Sequence, residues 1–238
     1  MVDRAPGGGL LRVGLYTAIY GDSDWVKPVP DIDCDCVLFT DSELTGLKAR
    51  TQGWSAEVVN HGIATLKGEP KIVAPMLGHK WWKTHPELAL PDVDVSLWID
   101  GSMEIITQDY IKLCLEALGD DDWSCVPHPA RRCVYPEAEY SATLTWRYDG
   151  PSIRAQAEFY RAFHPVNWGL FATGANVRRH TPDVIDLSHQ WWGECLNWSH
   201  QDQISLPVLL RLADGRVKWN QNLPWFKWWH LHEHGGKP

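Results

Sequence analysis

The sequence predicts an α/β fold in which a mostly parallel central sheet carries helices on both faces. Two observations predict it. Short apolar runs rich in β-forming residues alternate along the chain with segments of helical periodicity. Those runs also lack the strict in-and-out alternation of a sheet with one wet face, so both faces need a cover of helices. Composition agrees: 44% hydrophobic and 22% charged residues in 238 is ordinary globular usage, which excludes disordered, collagen-like and coiled-coil chains.

Residues 1–9 read as a flexible lead-in and 10–238 as a single domain. LLRVGLYTAIYG (10–21) and CVLFTD (36–41) read as central strands, each ending in a turn residue, and SAEVVNH (55–61) as a third. Residues 71–85 read as a helix that stops before His85-Pro86, because proline drives its predecessor out of helical geometry. VSLWIDG (95–101) is a further buried strand. The apolar positions Tyr110, Ile111, Leu113, Cys114, Leu115 and Leu118 then mark 107–118 as a helix on the sheet. WSCVPH (123–128) is the next strand. Residues 131–151 lose the pattern and read as an aromatic-bearing loop, a candidate lid or acceptor loop. A helix follows at 153–163, then a strand pair, or one strand broken at a glycine, at 167–180. Residues 182–195 form an amphipathic helix opened by Pro182, with Asp183, Asp186 and Glu194 on its polar side, and 201–212 form another.

A net charge of −8 and a pI near 5.7 offer no overall pull toward phosphate backbones. Arg131-Arg132 and Arg178-Arg179 are the local basic pairs from which a groove could be built. Six cysteines are too sparse for a disulfide scaffold, and Cys34-x-Cys36 suits a buried strand better than a zinc knuckle. The first residues lack the tripartite pattern of a secretory signal, and no apolar run reaches the roughly 18 residues of a membrane span. A reduced, cytoplasmic protein without a membrane partner is the expectation. Fifteen tryptophans serve the core, and as stacking faces they also suit sugars or bases.

Three polar strand tips carry the chemistry: 17–21, Thr40-Asp41 and Asp100-Gly101-Ser102. In an open α/β sheet such tips gather at the carboxyl edge, where ligands bind. No dinucleotide, P-loop or nucleophile-elbow fingerprint is present. An aspartate leaving an apolar strand, as Asp100 does in WIDGS, can hold Mg or Mn whose other ligands are a nucleotide's phosphates; it can equally cap the turn. Ser102 stands where a second acidic residue would complete a D-x-D. His230, His232 and His234 alternate on an extended tail and could add metal ligands there. Asp202, beside His200, is either a helix-start carboxylate or a general base or acceptor anchor.

In this order, VGLYTAIYGDSD, CVLFTDS, Lys80-x-x-Lys83 before His85-Pro86, VSLWIDGSMEI, VPHPARRCVYPEAE, GLFATGANVRRHT, QWWGE and SHQDQISLPVLL run over about 11–235. The set resembles the domain-of-unknown-function family of GT-A-like glycosyltransferases related to plant turgor-regulation and mucilage-type enzymes. The resemblance implies a GT-A-like fold and transfer of a sugar from a nucleoside-diphosphate donor, with uridine diphosphate as the expected carrier, to a hydroxyl acceptor. It implies that Thr17, Tyr20 and Asp41 line the nucleotide pocket and that Lys83 and Arg132 approach the diphosphate. Asp100 becomes the metal-side aspartate with Ser102 on the donor side, His232 and His234 match a metal-binding tail histidine, and Asp202 becomes the catalytic or acceptor-binding carboxylate. His200-Gln201 precede Asp202 where the family tends to have arginine. The acceptor stays open between a glycan and a hydroxymethylated pyrimidine in DNA, and a non-catalytic carbohydrate-binding protein remains the reading from another class.

Overall fold

The computed structural model describes residues 10–59, 75–224 and 227–233. The expected lead-in, the strand end at 60–61, the helix start at 71–74 and His234 lie outside the described residues. Strand β1 (Val13–Ile19) pairs in parallel with β2 (Asp35–Thr40) on one side and β4 (Val95–Ile99) on the other. Strand β3 (Ser55–Val58) extends β2 in parallel. Strand β7 (Phe171–Arg179) runs antiparallel between β4 and β6 (Trp123–Pro127), and the short β8 (Trp219–Asn220) lies parallel to β6. The order is therefore β3-β2-β1-β4-β7-β6-β8, and it changes direction between β1 and β4. That reversal opens a crevice at the carboxyl ends of these two strands.

Alternation along β1 sorts its side chains. Leu15 and Ile19 join Leu97, Ile99 and the residues Tyr110, Cys114 and Leu118 of α4 (Tyr110–Leu118). Ala49 of α1 (Glu43–Thr51) belongs to the same cluster. Tyr16, Ala18 and Trp98 face the other way, against Trp82 of α2 (Pro75–Thr84) and Ala89 of α3 (Pro86–Ala89). Helices α7 (Pro182–Asn197) and α8 (Asp202–Leu212) pack against β6 and β7 through Trp123, Phe171, Trp191 and Leu206. Both faces of the sheet are covered, as its apolar runs require.

Residues 131–151 depart from the expected loop: α5 (Val134–Ser141) forms inside them and α6 (Gly150–Arg161) begins before 151. Pro136 disguised α5, yet proline in the first turn of a helix displaces no intrahelical bond. Residues 171–179 form one strand rather than a pair. Its irregularity lies opposite β6, where Cys125 faces Asn176 and the next residue, Val126, faces Ala172. Asn176 Nδ2 closes this bulge by donating to the carbonyl of Thr173 at 2.9 Å. A two-stranded ribbon, unforeseen in the sequence, pairs β5 (Met103–Ile105) with β9 (Trp229–Leu231). Among the described residues, no helix is long and apolar enough to cross a membrane.

Candidate active site

Helix α2 carries Lys80 and Lys83 three positions apart, hence on one face. That face looks at the end of β4 and the start of α8. Lys83 Nζ donates to Asp100 Oδ1 at 3.0 Å and lies 2.9 Å from Asp202 Oδ2; Lys80 Nζ donates to the same Asp202 oxygen at 2.5 Å. Thr173, re-aimed by the β7 bulge, donates its hydroxyl to Asp202 Oδ1 at 2.8 Å. Trp98 Nε1 donates to Asp100 Oδ1 at 2.8 Å. Two carboxylates and two ammonium groups thus form one interlocked cluster.

Electrostatics follow from that contact set. Burial alone would raise the pKa of Asp202, but the ammonium groups of Lys80 and Lys83 hold it far below the usual carboxylate range. Asp100 is lowered in the same way, burial being outweighed by Lys83 and then Lys80. Burial and the Lys80 charge push His79 well below its ordinary value and His200 down to about 4, so both rings are neutral at pH 7.

Two cavities meet at this cluster. The first, about 330 Å³, sits in the crevice between β1 and β4 and is lined by Tyr20, Gly21, Asp100, His79, Lys80 and the exposed Trp146. Its apolar face is Tyr20, whose hydroxyl donates to the carbonyl of Val59 at 3.1 Å and accepts from Trp82 Nε1 at 2.9 Å. The second, about 250 Å³, is polar and is lined by Arg131, Glu137, Ser141, Thr173, Gln201 and Asp202. Lys80, Asp100, Arg147 and Tyr148 belong to both walls. In the second cavity Arg131 is ion-paired with Glu137, and His128 Nδ1 accepts the backbone N–H groups of Ala130 and Arg131, which puts its proton on Nε2. Gln201 donates to Ser141 Oγ at 2.8 Å.

The structure brings Asp100, Asp202, Lys83 and Tyr20 together, each in a particular place. Lys83 has no exposed surface and lines neither cavity, so Lys80 is the lysine that reaches them. Asp41 stands behind the first cavity, where both carboxylate oxygens accept the N–H of Gly21, at 2.9 and 3.2 Å. Thr17 is buried within β1 and Ser102 within the turn after Asp100; neither lines a cavity, because strand and turn geometry aim both side chains inward. Arg132 is exposed and lines neither cavity; its neighbour Arg131 is the one turned inward. His232 pairs with Glu104 at 2.7 Å and also lines neither. Among the described residues, no three His, Cys, Asp or Glu side chains converge as metal ligands.

No basic groove forms from the two arginine pairs either. Arg178 is fully buried and donates to the Tyr16 hydroxyl, while Arg179 is spent on the carbonyls of Gly119 and Asp121. The residues that sequence reasoning missed are Lys80, His79, Arg147, Tyr148 and Glu137. The signal for Lys80 was its three-residue spacing from Lys83; for Arg147 and Tyr148 it was their place in the segment singled out at 131–151.

With this geometry in hand, the family model of the TOD1/MUCI70 glycosyltransferase-like domain matches residues 83–227. A probable hexosyltransferase of Arabidopsis thaliana, MUCI70, is 24% identical over 208 residues, covering 78% of this chain and 34% of that protein. The chain thus spans about a third of the length of that curated relative. Glucosyl-3-phosphoglycerate synthase from Mycobacterium tuberculosis, in complex with Mn2+, uridine diphosphate and phosphoglyceric acid, superposes with a TM-score of 0.51 at 12% identity, over 96% of this chain and 72% of that one. The same enzyme with phosphoglyceric acid alone gives 0.50 at 12% identity, over 96% and 73%. At that identity the likeness is one of fold, and the fold is GT-A-like.

Proposed function

This chain belongs to the TOD1/MUCI70 glycosyltransferase-like family, and on that premise we propose that it moves a sugar from a nucleoside-diphosphate sugar, with uridine as the base, to a hydroxyl of a sugar acceptor. The observation that carries this reading is the pair of cavities sharing Lys80, Asp100, Arg147 and Tyr148 as a common wall. A group-transfer enzyme needs its two substrates to meet at one seam, held in attack geometry. The first cavity, with aromatic and apolar lining beside cations, suits a nucleotide and its diphosphate. The second, lined by amide, hydroxyl and carboxylate groups, suits a polyhydroxylated acceptor.

In the reaction, the acceptor oxygen bonds to the anomeric carbon and releases its proton to water. The bond from that carbon to the β-phosphate oxygen breaks, and its electron pair stays on the departing diphosphate. Lys80 and Arg147 line both cavities and are placed to stabilise that charge, which is electrostatic catalysis aimed where charge develops. Asp202 acts as a positioning residue. Its three donors and its strong acidity make it a poor proton acceptor, and it fixes the lysines instead.

The mycobacterial enzyme was seen in complex with Mn2+ and uridine diphosphate. The described residues here do not fit such an ion: Asp100 Oδ1 is already taken by Lys83 and Trp98, and no three His, Cys, Asp or Glu side chains converge there. The modified-DNA acceptor gains no basic face from the buried Arg178 and the paired Arg131.

The test is incubation with labelled uridine-diphosphate sugars and, in parallel, oligosaccharides or hydroxymethylated DNA. Label transferred to oligosaccharide, and lost in Asp100→Asn, is the expected result. Donors left intact with every acceptor, or label appearing in DNA alone, would overturn it.

A further inference from the structure

We infer that the ammonium group of Lys80, with the buried Lys83 occupying Asp100 behind it, stands in for a divalent cation, so that this protein binds its nucleoside diphosphate and transfers its sugar without divalent metal. The inference rests on the glycosyl-donor reading and goes beyond it. Of the four oxygens of Asp100 and Asp202, Asp100 Oδ1 accepts from Lys83 and Trp98, Asp202 Oδ2 from Lys80 and Lys83, and Asp202 Oδ1 from Thr173. That leaves Asp100 Oδ2 as the one carboxylate oxygen of the cluster without a hydrogen-bond donor among the described residues.

Magnesium-like ions are held by hard oxygens, through one or two carboxylates together with substrate phosphates. A dication at Asp100 Oδ2 would sit beside two ammonium groups. Lys83 cannot withdraw to make room. Its side chain has no exposed surface, and its Nζ lies over the rings of Trp98 and Trp191, at 5.6 and 5.8 Å. Two candidates among the described residues are turned elsewhere: His232 is engaged by Glu104, and Ser102 is buried with its carbonyl accepting the N–H of His232. Lys80, by contrast, already places its cation on the wall shared by both cavities. When the bond between the anomeric carbon and the β-phosphate oxygen breaks, the charge left on that oxygen meets Lys80 in place of a metal.

The experiment is calorimetric titration of the full chain with UDP, GDP, ADP and CDP in excess EDTA, in Mg2+ and in Mn2+. At least one diphosphate should bind with the same affinity, within about twofold, in all three conditions. Lys80→Met should weaken that binding in EDTA by about tenfold or more, the equivalent of one charge-assisted hydrogen bond. Lys80→Arg should keep it within about threefold, because the cation is retained. Should Lys80→Met fail to fold by circular dichroism, the chelator comparison on the unaltered protein decides alone. Binding that appears only with Mg2+ or Mn2+, or strengthens about tenfold or more with them, overturns the inference and leaves the donor reading standing. No binding of any diphosphate under any condition overturns both.

Discussion

Asp202 is 2% exposed and accepts from two ammonium groups and a hydroxyl. Removing its charge leaves Lys83 buried with one partner, and breaking a buried pair from one side costs about 3–5 kcal/mol. Asp202→Asn should therefore lower the unfolding free energy measured in urea by an amount of that order while keeping the bond from Thr173. The pH dependence has a definite sign. In the folded state this carboxyl lies far below its ordinary 3.8, so its stabilisation is complete above that value and is lost as pH falls from there toward the folded one. The gap between the two proteins should be widest at neutral pH and should narrow below about pH 4; a gap unchanged across that range would remove Asp202 from this role. Sequence motifs pointed to Asp100, Asp202 and Lys83. They named Arg132 rather than Arg131, and only the backbone turn before α5 decides which guanidinium meets Glu137.

Helix α2 meets β1 at a glycine. A Cβ built on Gly78 would stand 2.4 Å from Cδ1 of Tyr20, a ring pinned at its hydroxyl by Trp82 and Val59. Gly78→Ala must displace the ring that forms the apolar face of the first cavity, and such overpacking costs about 1–3 kcal/mol. Thermal unfolding should show that loss, and titration with uridine diphosphate should show weakened binding; unchanged affinity would mean that Tyr20 does not contact the nucleotide. At this scale the sequence was readable where its period was strong. Helix α2 was expected to stop at His85-Pro86 and does stop at Thr84. Helix α5 was hidden, since its eight residues hold an early proline and carry little amphipathic pattern. The β7 bulge could not be read from one strand, because a bulge is a relation between two.

For the molecule as a whole, buried histidines shape the acid response. Burial, reinforced by Arg211, Arg178 and Lys80 respectively, takes His164, His180 and His200 from an ordinary 6.5 down to about 4. Between those values the unfolded chain binds protons that the folded one refuses, so stability must fall as pH drops through that window. Urea midpoints measured from pH 7 to about pH 4.5 should decline steadily, and less so in His164→Gln; a flat profile would contradict the burial of these rings. The parallel half of the sheet was legible in the apolar runs that form β1, β2, β3 and β4. The antiparallel insertion of β7 was not, because strand order is settled by long-range pairing that local pattern does not encode. Nor were β8, β9 and β5, which are too short to show a period. The ribbon of β5 and β9 ties the last described residues to the turn that presents Asp100, whose carbonyl accepts the N–H of Met103. A substitution that loosened β9 would therefore slacken the rim of the first cavity as well, so the ribbon serves as a strut behind the carboxylate that the two cavities share.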